Sequence, residues 1–285
     1  MSIFKTGFLM AILTVLLVFI GGAIGGQSGL IFAFGFAVII NFGSYWFSDK
    51  IVLAIYRAKE VNPNEAPELY RTVQDLAQKA NLPMPRVYIV PMEAPNAFAT
   101  GRNPKHAVVA VTEGMLNSLP MDEIRAVLGH ELAHVKNRDT LLSTVAATMA
   151  GTITMLASMV RWAAIFGGFR GNDDDEGGGG IIGIIVLSIL APIAALLLQL
   201  AISRSREYIA DRDGAKISGT PLSLADALRK MDSIAHQRPL ATGNPSVSNM
   251  FIVNPFSGRG IMNILSTHPP IRKRIERLEA MASNH

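Results

Sequence analysis

The sequence predicts an α+β integral membrane protein in which about four transmembrane helices carry a mainly helical polar domain. Charged residues make up 17% of the 285-residue chain, whereas soluble domains have about 25%. The mean hydropathy is +0.32, and the charge-poor segments form long apolar runs. The chain has no cysteine. Disulfides and thiolate ligands are therefore excluded, and a transition-metal site would have to use His, Asp or Glu.

Four apolar runs of about 20 residues are each long enough, as a helix, to cross a bilayer core. A buried core helix is the alternative for every run. It fits worst for the last run, which is entirely uncharged, and better for the third, which is rich in Ala, Thr, Ser and Gly. A cleaved signal peptide is a further alternative for the first run, but the second follows almost directly, so we expect a retained hairpin. The runs are residues 7–26, 29–47, 140–160 and 181–203.

Basic residues flank these runs on one side, and the positive-inside rule places that side in the cytoplasm. The rule predicts a domain organisation with both termini cytoplasmic. The net charge of +4 is explained by these flanks, and no basic patch with interleaved aromatics indicates nucleic-acid binding. The acids of the polar loop 167–180 lack the spacing of a calcium loop. The predicted parts are a hairpin 1–47, a first cytoplasmic part 48–139, a second hairpin 140–203 and a second cytoplasmic part 204–285.

The two cytoplasmic parts are expected to form one domain. Helical periodicity or helix-start signals occur in segments 65–80, 120–138, 220–236 and 269–281. Thr220 and Pro221 are placed as the N-cap and first residue of the third of these helices. Three short strands broken by Pro and Gly are predicted between residues 86 and 112. Residues 237–266 have no clear pattern and are interpreted as a loop.

The segment GHELAHVKNRD contains two histidines, His130 and His134, separated by one helical turn. Their imidazoles can therefore converge on one metal ion, and the carboxylate of Glu131 can reach a water beside it. Two unrelated surface histidines are the alternative, but the composition gives roughly 0.004 occurrences of this pattern by chance. A catalytic zinc site needs one more protein ligand and an open position.

Glu207 and Asp211 form a second pair at helical spacing, directly after the last apolar run. Such a pair is usually a solvated helix face. Beside a zinc-binding helix, however, Glu207 is a candidate third ligand. Asp211 is a candidate acceptor for an imidazole N–H, which would fix the histidine tautomer.

The segments GHELAHVKNRD, SRSREYIAD, APNAFATG and STHPP, in order and separated by these runs, resemble the HtpX family of membrane-bound zinc metalloproteases. The resemblance covers nearly the whole chain. It implies a zincin-type cytoplasmic domain with one Zn²⁺ per subunit and endopeptidase activity against misfolded or surplus membrane proteins in the bacterial inner membrane. It implies that His130, His134 and Glu207 are the zinc ligands and that Glu131 is the catalytic acid. The family's conserved aspartate falls on Asp211, and its downstream histidine falls on His268.

The chemistry of such a site needs a base and an oxyanion donor. Zinc lowers the pKa of water and polarises a carbonyl, and Glu131 can take the water proton and pass it to the leaving amine. His268, Tyr208 and Arg206 are candidate donors to the oxyanion, although Arg206 could equally pair with an acid or a lipid phosphate. Asn96 is either a contact to an extended substrate backbone or a turn residue.

Several other classes share part of this pattern. A prenyl-protein (CAAX-type) protease has the same ligand arrangement but more membrane spans, and a site-2-type protease has its zinc helix inside the bilayer. A zinc-containing scaffold or chaperone without catalysis would not need Glu131. The expected partners are unfolded or membrane-protein substrates and the lipid bilayer, with no nucleic acid; the sequence does not indicate an oligomeric state.

Overall fold

The computed structural model describes residues 2–146, 204–238, 251–253 and 269–283. The predicted loop 167–180, the run 181–203, most of the run 140–160 and His268 lie outside these residues. The described residues form a mainly helical protein with one small sheet. The helices are α1 (Ser2–Ile55), α2 (Pro67–Ala80), α3 (Glu113–Ser118), α4 (Met121–Lys136), α5 (Arg204–Ser218), α6 (Pro221–Gln237) and α7 (Ile271–Ser283), and the strands are β1 (Lys59–Glu60), β2 (Arg86–Val90), β3 (Ala97–Thr100) and β4 (Val108–Thr112).

Helix α1 doubles back on itself at Gly26, whose φ of 55° is left-handed. A Cβ at Gly21 would lie 2.5 Å from the carbonyl oxygen of Gly29, so glycine lets the two arms of α1, before and after Gly26, approach closely. Farther along the arms, Asn41 Nδ2 donates to Thr14 Oγ1 over 2.7 Å. The N-terminal apolar residues therefore form a helical hairpin.

Within the described residues, one helical stretch, Gly26–Phe47, is long and apolar enough to cross a membrane. The first arm contributes a shorter apolar stretch, Thr6–Phe19. Large apolar side chains such as Phe32 and Ile39 project from the second arm, and 77% and 69% of their surfaces are exposed. Of the four predicted spans, the described residues cover the first two, and one of these, the second, is a membrane-spanning candidate.

The three predicted strands are present, together with the short β1, in a sheet of order β1-β2-β4-β3. Strands β2 and β4 are parallel, with Tyr88 opposite Ala110, while β1 and β3 pair antiparallel to them. Strand β3 is therefore an edge strand of the described sheet.

Alternating side chains of the sheet divide between two apolar cores. One face, which includes Val87 and Val109, packs with the helices in the main core. The other face packs beneath the end of α1, where the Tyr56 and Phe98 ring centroids lie 5.0 Å apart. The helical hairpin is thereby joined to the sheet through a continuous apolar contact.

The four predicted cytoplasmic helices correspond to α2, α4, α6 and α7. Helix α4 lies at the centre and packs most extensively against α5, with further contacts to α2, α6 and β3. Thr220 occupies the N-cap position of α6, as predicted, but its side chain makes no capping hydrogen bond. Helix α3 begins where Thr112 Oγ1 accepts a hydrogen bond from Met115 N, a cap that the sequence analysis missed.

Candidate metal centre

Helix α4 presents His130 and His134 on one face, one turn apart. Their ring centroids lie 4.8 Å apart with the rings nearly perpendicular. His130 is 2% exposed, and the His134 side chain is 16% exposed. Both imidazoles are therefore held in a largely enclosed site.

Helix α5 brings Glu207 to the two histidines. Glu207 Oε1 lies 3.4 Å from His134 Nε2, and Oε2 lies 3.8 Å from His130 Nε2. One candidate ligand atom from each of the three side chains lies within 4.8 Å of the others. Two imidazole nitrogens and a carboxylate oxygen suit zinc, whose tetrahedral ligand atoms stand about 3.4 Å apart. The three side chains therefore fit a zinc ion with little movement.

The close crossing of α4 and α5 depends on two glycines. A Cβ at Gly214 would lie 2.5 Å from His130 Cα, and one at Gly129 would lie 2.8 Å from the Gly214 carbonyl oxygen. Any side chain at position 214 would push against the backbone that carries the first histidine.

We expect Gly214→Ala to separate the two helices and lower both stability and metal retention. Overpacking of this kind costs about 1–3 kcal/mol. Thermal unfolding in detergent and zinc content after gel filtration would measure the two effects. Gly43→Ala is the matched control, because nothing lies within 4 Å of a Cβ there; equal behaviour of the two variants would contradict the expectation.

Glu131 lies beside the three candidate ligands with its carboxylate turned toward the sheet. Its Oε2 accepts a hydrogen bond from the backbone N–H of Ala99 in β3 over 2.8 Å. Burial raises the pKa of Glu131, although the neighbouring histidines act in the opposite direction. A carboxylate with a raised pKa is suited to take and return a proton near neutral pH.

A buried ion pair lies beside His130. Asp211 Oδ1 lies 3.0 Å from His130 Nδ1, and both carboxylate oxygens accept hydrogen bonds from Arg274, over 2.6 and 2.8 Å. Burial alone would raise the pKa of Asp211, but Arg274 and His130 hold that pKa well below its usual range. The carboxylate therefore stays charged and faces the Nδ1 edge of the imidazole, which leaves Nε2 directed toward Glu207.

His134 has an equivalent partner in Asp139. Asp139 Oδ2 lies 3.4 Å from His134 Nδ1, and Arg206 Nη1 donates to Asp139 Oδ1 over 3.3 Å. Burial opposes protonation, but Asp139 and Glu207 together raise the pKa of His134 to about 10. Because a histidine must be neutral to bind a metal, ion binding at this site would release a proton.

The remaining predicted site residues that the structure describes contact other parts of the chain. The side-chain oxygen of Asn96 accepts a hydrogen bond from Ile252 N over 3.1 Å, so it holds a segment of this chain. Tyr208 lies under the guanidinium of Arg277, 3.7 Å from its ring centroid. The structure brings together His130, Glu131, His134, Glu207 and Asp211; it places Arg206 on Asp139.

Arg274 and Asp139 are two polar partners in the site that the sequence does not predict. Arg274 falls at the same helical spacing as Ile271, Ile275 and Leu278, and a charge on an apolar helix face signals a buried partner. Asp139 lies just beyond the end of α4. Its spacing of five from His134 crosses the end of α4, where helical geometry alone does not predict a contact.

Comparison with known proteins identifies the family of this chain. A model of peptidase family M48 matches residues 63–282. A protein named Protease HtpX homolog from Syntrophobacter fumaroxidans is 58% identical over 98% of this chain and 99% of its own length. The protein of that name from Thermococcus kodakarensis is 58% identical over 98% of this chain and 95% of its own.

The fold is similar to that of solved structures, among them a protein named Ste24p. The crystal structure of S. mikatae Ste24p matches 93% of this chain with a TM-score of 0.52 and 19% sequence identity. This chain spans only 62% of that protein, and the likeness concerns the fold alone. The match of the family model and the identity to the relatives confirm the resemblance to HtpX proteins: the chain belongs to peptidase family M48.

Proposed function

We propose that this protein is a membrane-associated, zinc-dependent endopeptidase. The observation that supports this function best is the convergence of His130, His134 and Glu207, with the buried carboxylate of Glu131 beside them. A zinc ion bound by these three residues would supply Lewis acidity to water and to the scissile carbonyl. A scaffold that binds zinc only for folding has no need of a carboxylate at Glu131.

Glu131 acts as the proton carrier in this proposal. In the ionised form it takes the proton of the attacking water, and in the protonated form it delivers that proton to the leaving amine. The hydrogen bond from Ala99 N keeps its carboxylate at the edge of the sheet. His130 and His134 are oriented for metal binding by Asp211 and Asp139, which face their Nδ1 atoms.

Strand β3, at the edge of the described sheet, is the proposed binding place of the substrate. An extended peptide can add to the edge of a sheet through backbone hydrogen bonds, and β3 lies against the helix that carries the histidines. Asn96 stands at the start of this strand and would act by holding segment 251–253 beside it. His268, Tyr208 and Arg206 remain the candidate donors to the oxyanion.

The proposed substrates are misfolded or surplus membrane proteins. The apolar stretch Gly26–Phe47 and the shared core between α1 and the sheet support a catalytic domain held against the bilayer. By the positive-inside rule this is the cytoplasmic face of a bacterial inner membrane. A cysteine introduced near position 175 tests the predicted second hairpin, and its labelling from the cytoplasmic side would contradict that topology.

The direct test is cleavage of an unfolded membrane protein by the purified full-length chain. We expect activity to disappear with a chelator, to return with zinc, and to give mapped internal cleavage products. Cleavage confined to prenylated peptides would favour the CAAX-type alternative, and cleavage that persists without metal would contradict the proposal.

Glu207→Ala is expected to abolish stoichiometric zinc binding, because it leaves two protein ligands where a catalytic site has three. Zinc per protein, measured by inductively coupled plasma mass spectrometry after dialysis, would fall from about one to well below one-half. Asp213→Ala is the control, since this carboxylate lies on the same helix and pairs with Arg212. If the Glu207→Ala variant retained as much zinc as the wild type, Glu207 would not be a zinc ligand.

A further inference from the structure

A cleft of about 460 Å³ opens where the apolar stretch Gly26–Phe47 ends. Its walls come from three parts of the chain: the end of this stretch, the first residue of β2, and the turn around Pro104–His106. The cleft lies on the surface of the catalytic domain next to the membrane helix.

The cleft is positively charged. Among the residues that the structure describes, Lys50, Arg86 and Arg102 line it together with one carboxylate, that of Asp49. Asp49 Oδ2 lies 3.1 Å from Arg86 Nη2, so one cation is neutralised. Two positive charges are left without a carboxylate counterpart in the lining.

Aromatic side chains hold the other two cations at the wall of the cleft. The Arg102 guanidinium lies 4.6 Å from the Trp46 ring centroid, and Lys50 Nζ lies 5.6 Å from that of Phe47. Both rings are close to half exposed, at 43% and 46%. Tryptophan beside basic residues at the end of an apolar helix is typical of the membrane–water interface.

We propose that this cleft binds the phosphate headgroup of an anionic phospholipid. An arginine and a lysine are the usual partners of a phosphodiester oxygen, and the exposed rings would lie beside the upper acyl chains. The position of the cleft at the end of the membrane-crossing stretch favours a lipid in the bilayer over a free phosphate. The proposal depends on membrane association of the chain and not on its peptidase activity.

A lipid bound there would act on the edge strand of the sheet. Arg102 follows β3 by two residues, and the intervening Gly101 carbonyl oxygen accepts a hydrogen bond from Thr140 Oγ1 over 3.1 Å. The same strand donates a hydrogen bond to Glu131. Headgroup binding would therefore hold β3, the proposed binding place of the substrate, at the membrane surface.

Trp46 provides the reporter for a test. The chain has two tryptophans, so a Trp162→Phe background leaves one. The full-length protein would be placed in phosphatidylcholine vesicles that contain increasing fractions of brominated phosphatidylglycerol or, in parallel, brominated phosphatidylcholine. We expect quenching to require several-fold less of the anionic lipid.

Charge substitutions identify the binding residues. Lys50→Gln and Arg102→Gln should each weaken the anionic preference about five-fold, which corresponds to about 1 kcal/mol per cation at a membrane surface. Lys216→Gln removes an exposed cation from α5 and should change nothing. Three results would each overturn the proposal: equal quenching by both lipids, full competition by soluble glycerol phosphate, or an unchanged preference for the anionic lipid when Lys50→Gln and Arg102→Gln are combined. Cleavage activity is not a readout, so an inactive protein leaves the result interpretable.

Discussion

Glu131→Gln is expected to lower the rate of peptide cleavage by about 10²–10⁴-fold, which is the usual contribution of a general acid–base group. Glutamine has nearly the same shape and can still accept the hydrogen bond from Ala99 N, but it cannot carry a proton. Since Glu131 is not among the three converging ligands, zinc content should stay at the wild-type level. Single-turnover cleavage of an unfolded substrate and metal analysis on the same preparation would measure both quantities.

The control for this substitution is Glu68→Gln, at an exposed position in the first turn of α2. It changes the charge by the same amount and should retain full activity. If the Glu131 variant cleaves as fast as the wild type with zinc bound, the proposed mechanism is wrong, and a zinc-containing scaffold with a contaminating protease becomes the better explanation.

Arg274→Met is expected to destabilise the protein by about 3–5 kcal/mol, because it leaves the charge of Asp211 buried without its main partner. Arg274 is completely buried, and it contacts both oxygens of that carboxylate. Chemical denaturation in detergent, followed by tryptophan fluorescence, would measure the change. Zinc affinity should fall as well, since the orientation of His130 depends on the same carboxylate.

A double variant separates the charge from the orientation. Asp211→Asn combined with Arg274→Met removes both charges, so part of the lost stability should return while zinc affinity stays low. Arg272→Met is the matched control on the same helix, because the Arg272 side chain is 90% exposed and pairs across one turn with Glu276. A double variant that is no more stable than Arg274→Met alone would show that the buried charge is not the cause.

The core of the site could be predicted because its spacing carries geometric information. The spacing of four between His130 and His134 places both on one face of a helix, with Glu131 beside them. The same spacing places Glu207 and Asp211 on one face of a second helix. The crossing that joins these helices could not be predicted in this way. It depends on the absence of a side chain at Gly129 and Gly214, and a glycine in a helix has no distinctive sequence pattern around it.

Long-range polar contacts account for most of what the sequence did not reveal. Arg274 reaches Asp211 across 63 positions, and Asn96 holds Ile252 across 156. Hydrophobic periodicity predicts which face of an element is buried, but it does not say which other element a polar group will meet. The mixed order of the sheet is a similar case: the three strands were predicted, whereas the parallel pairing of β2 with β4 follows from the tertiary arrangement.

The order of these residues along the chain has a consequence for biosynthesis. The two histidines of α4 are made first, Glu207 comes 73 residues after His134, and Arg274 another 67 residues later. At about 5–20 residues per second, a ribosome needs roughly 7–28 seconds to pass from the second histidine to the arginine. Until Glu207 is made, the nascent polypeptide lacks one of its three candidate ligands, and until Arg274 is made, the charge of Asp211 lacks its main partner. We therefore expect the buried polar network of the metal centre to be completed only after translation has delivered α7.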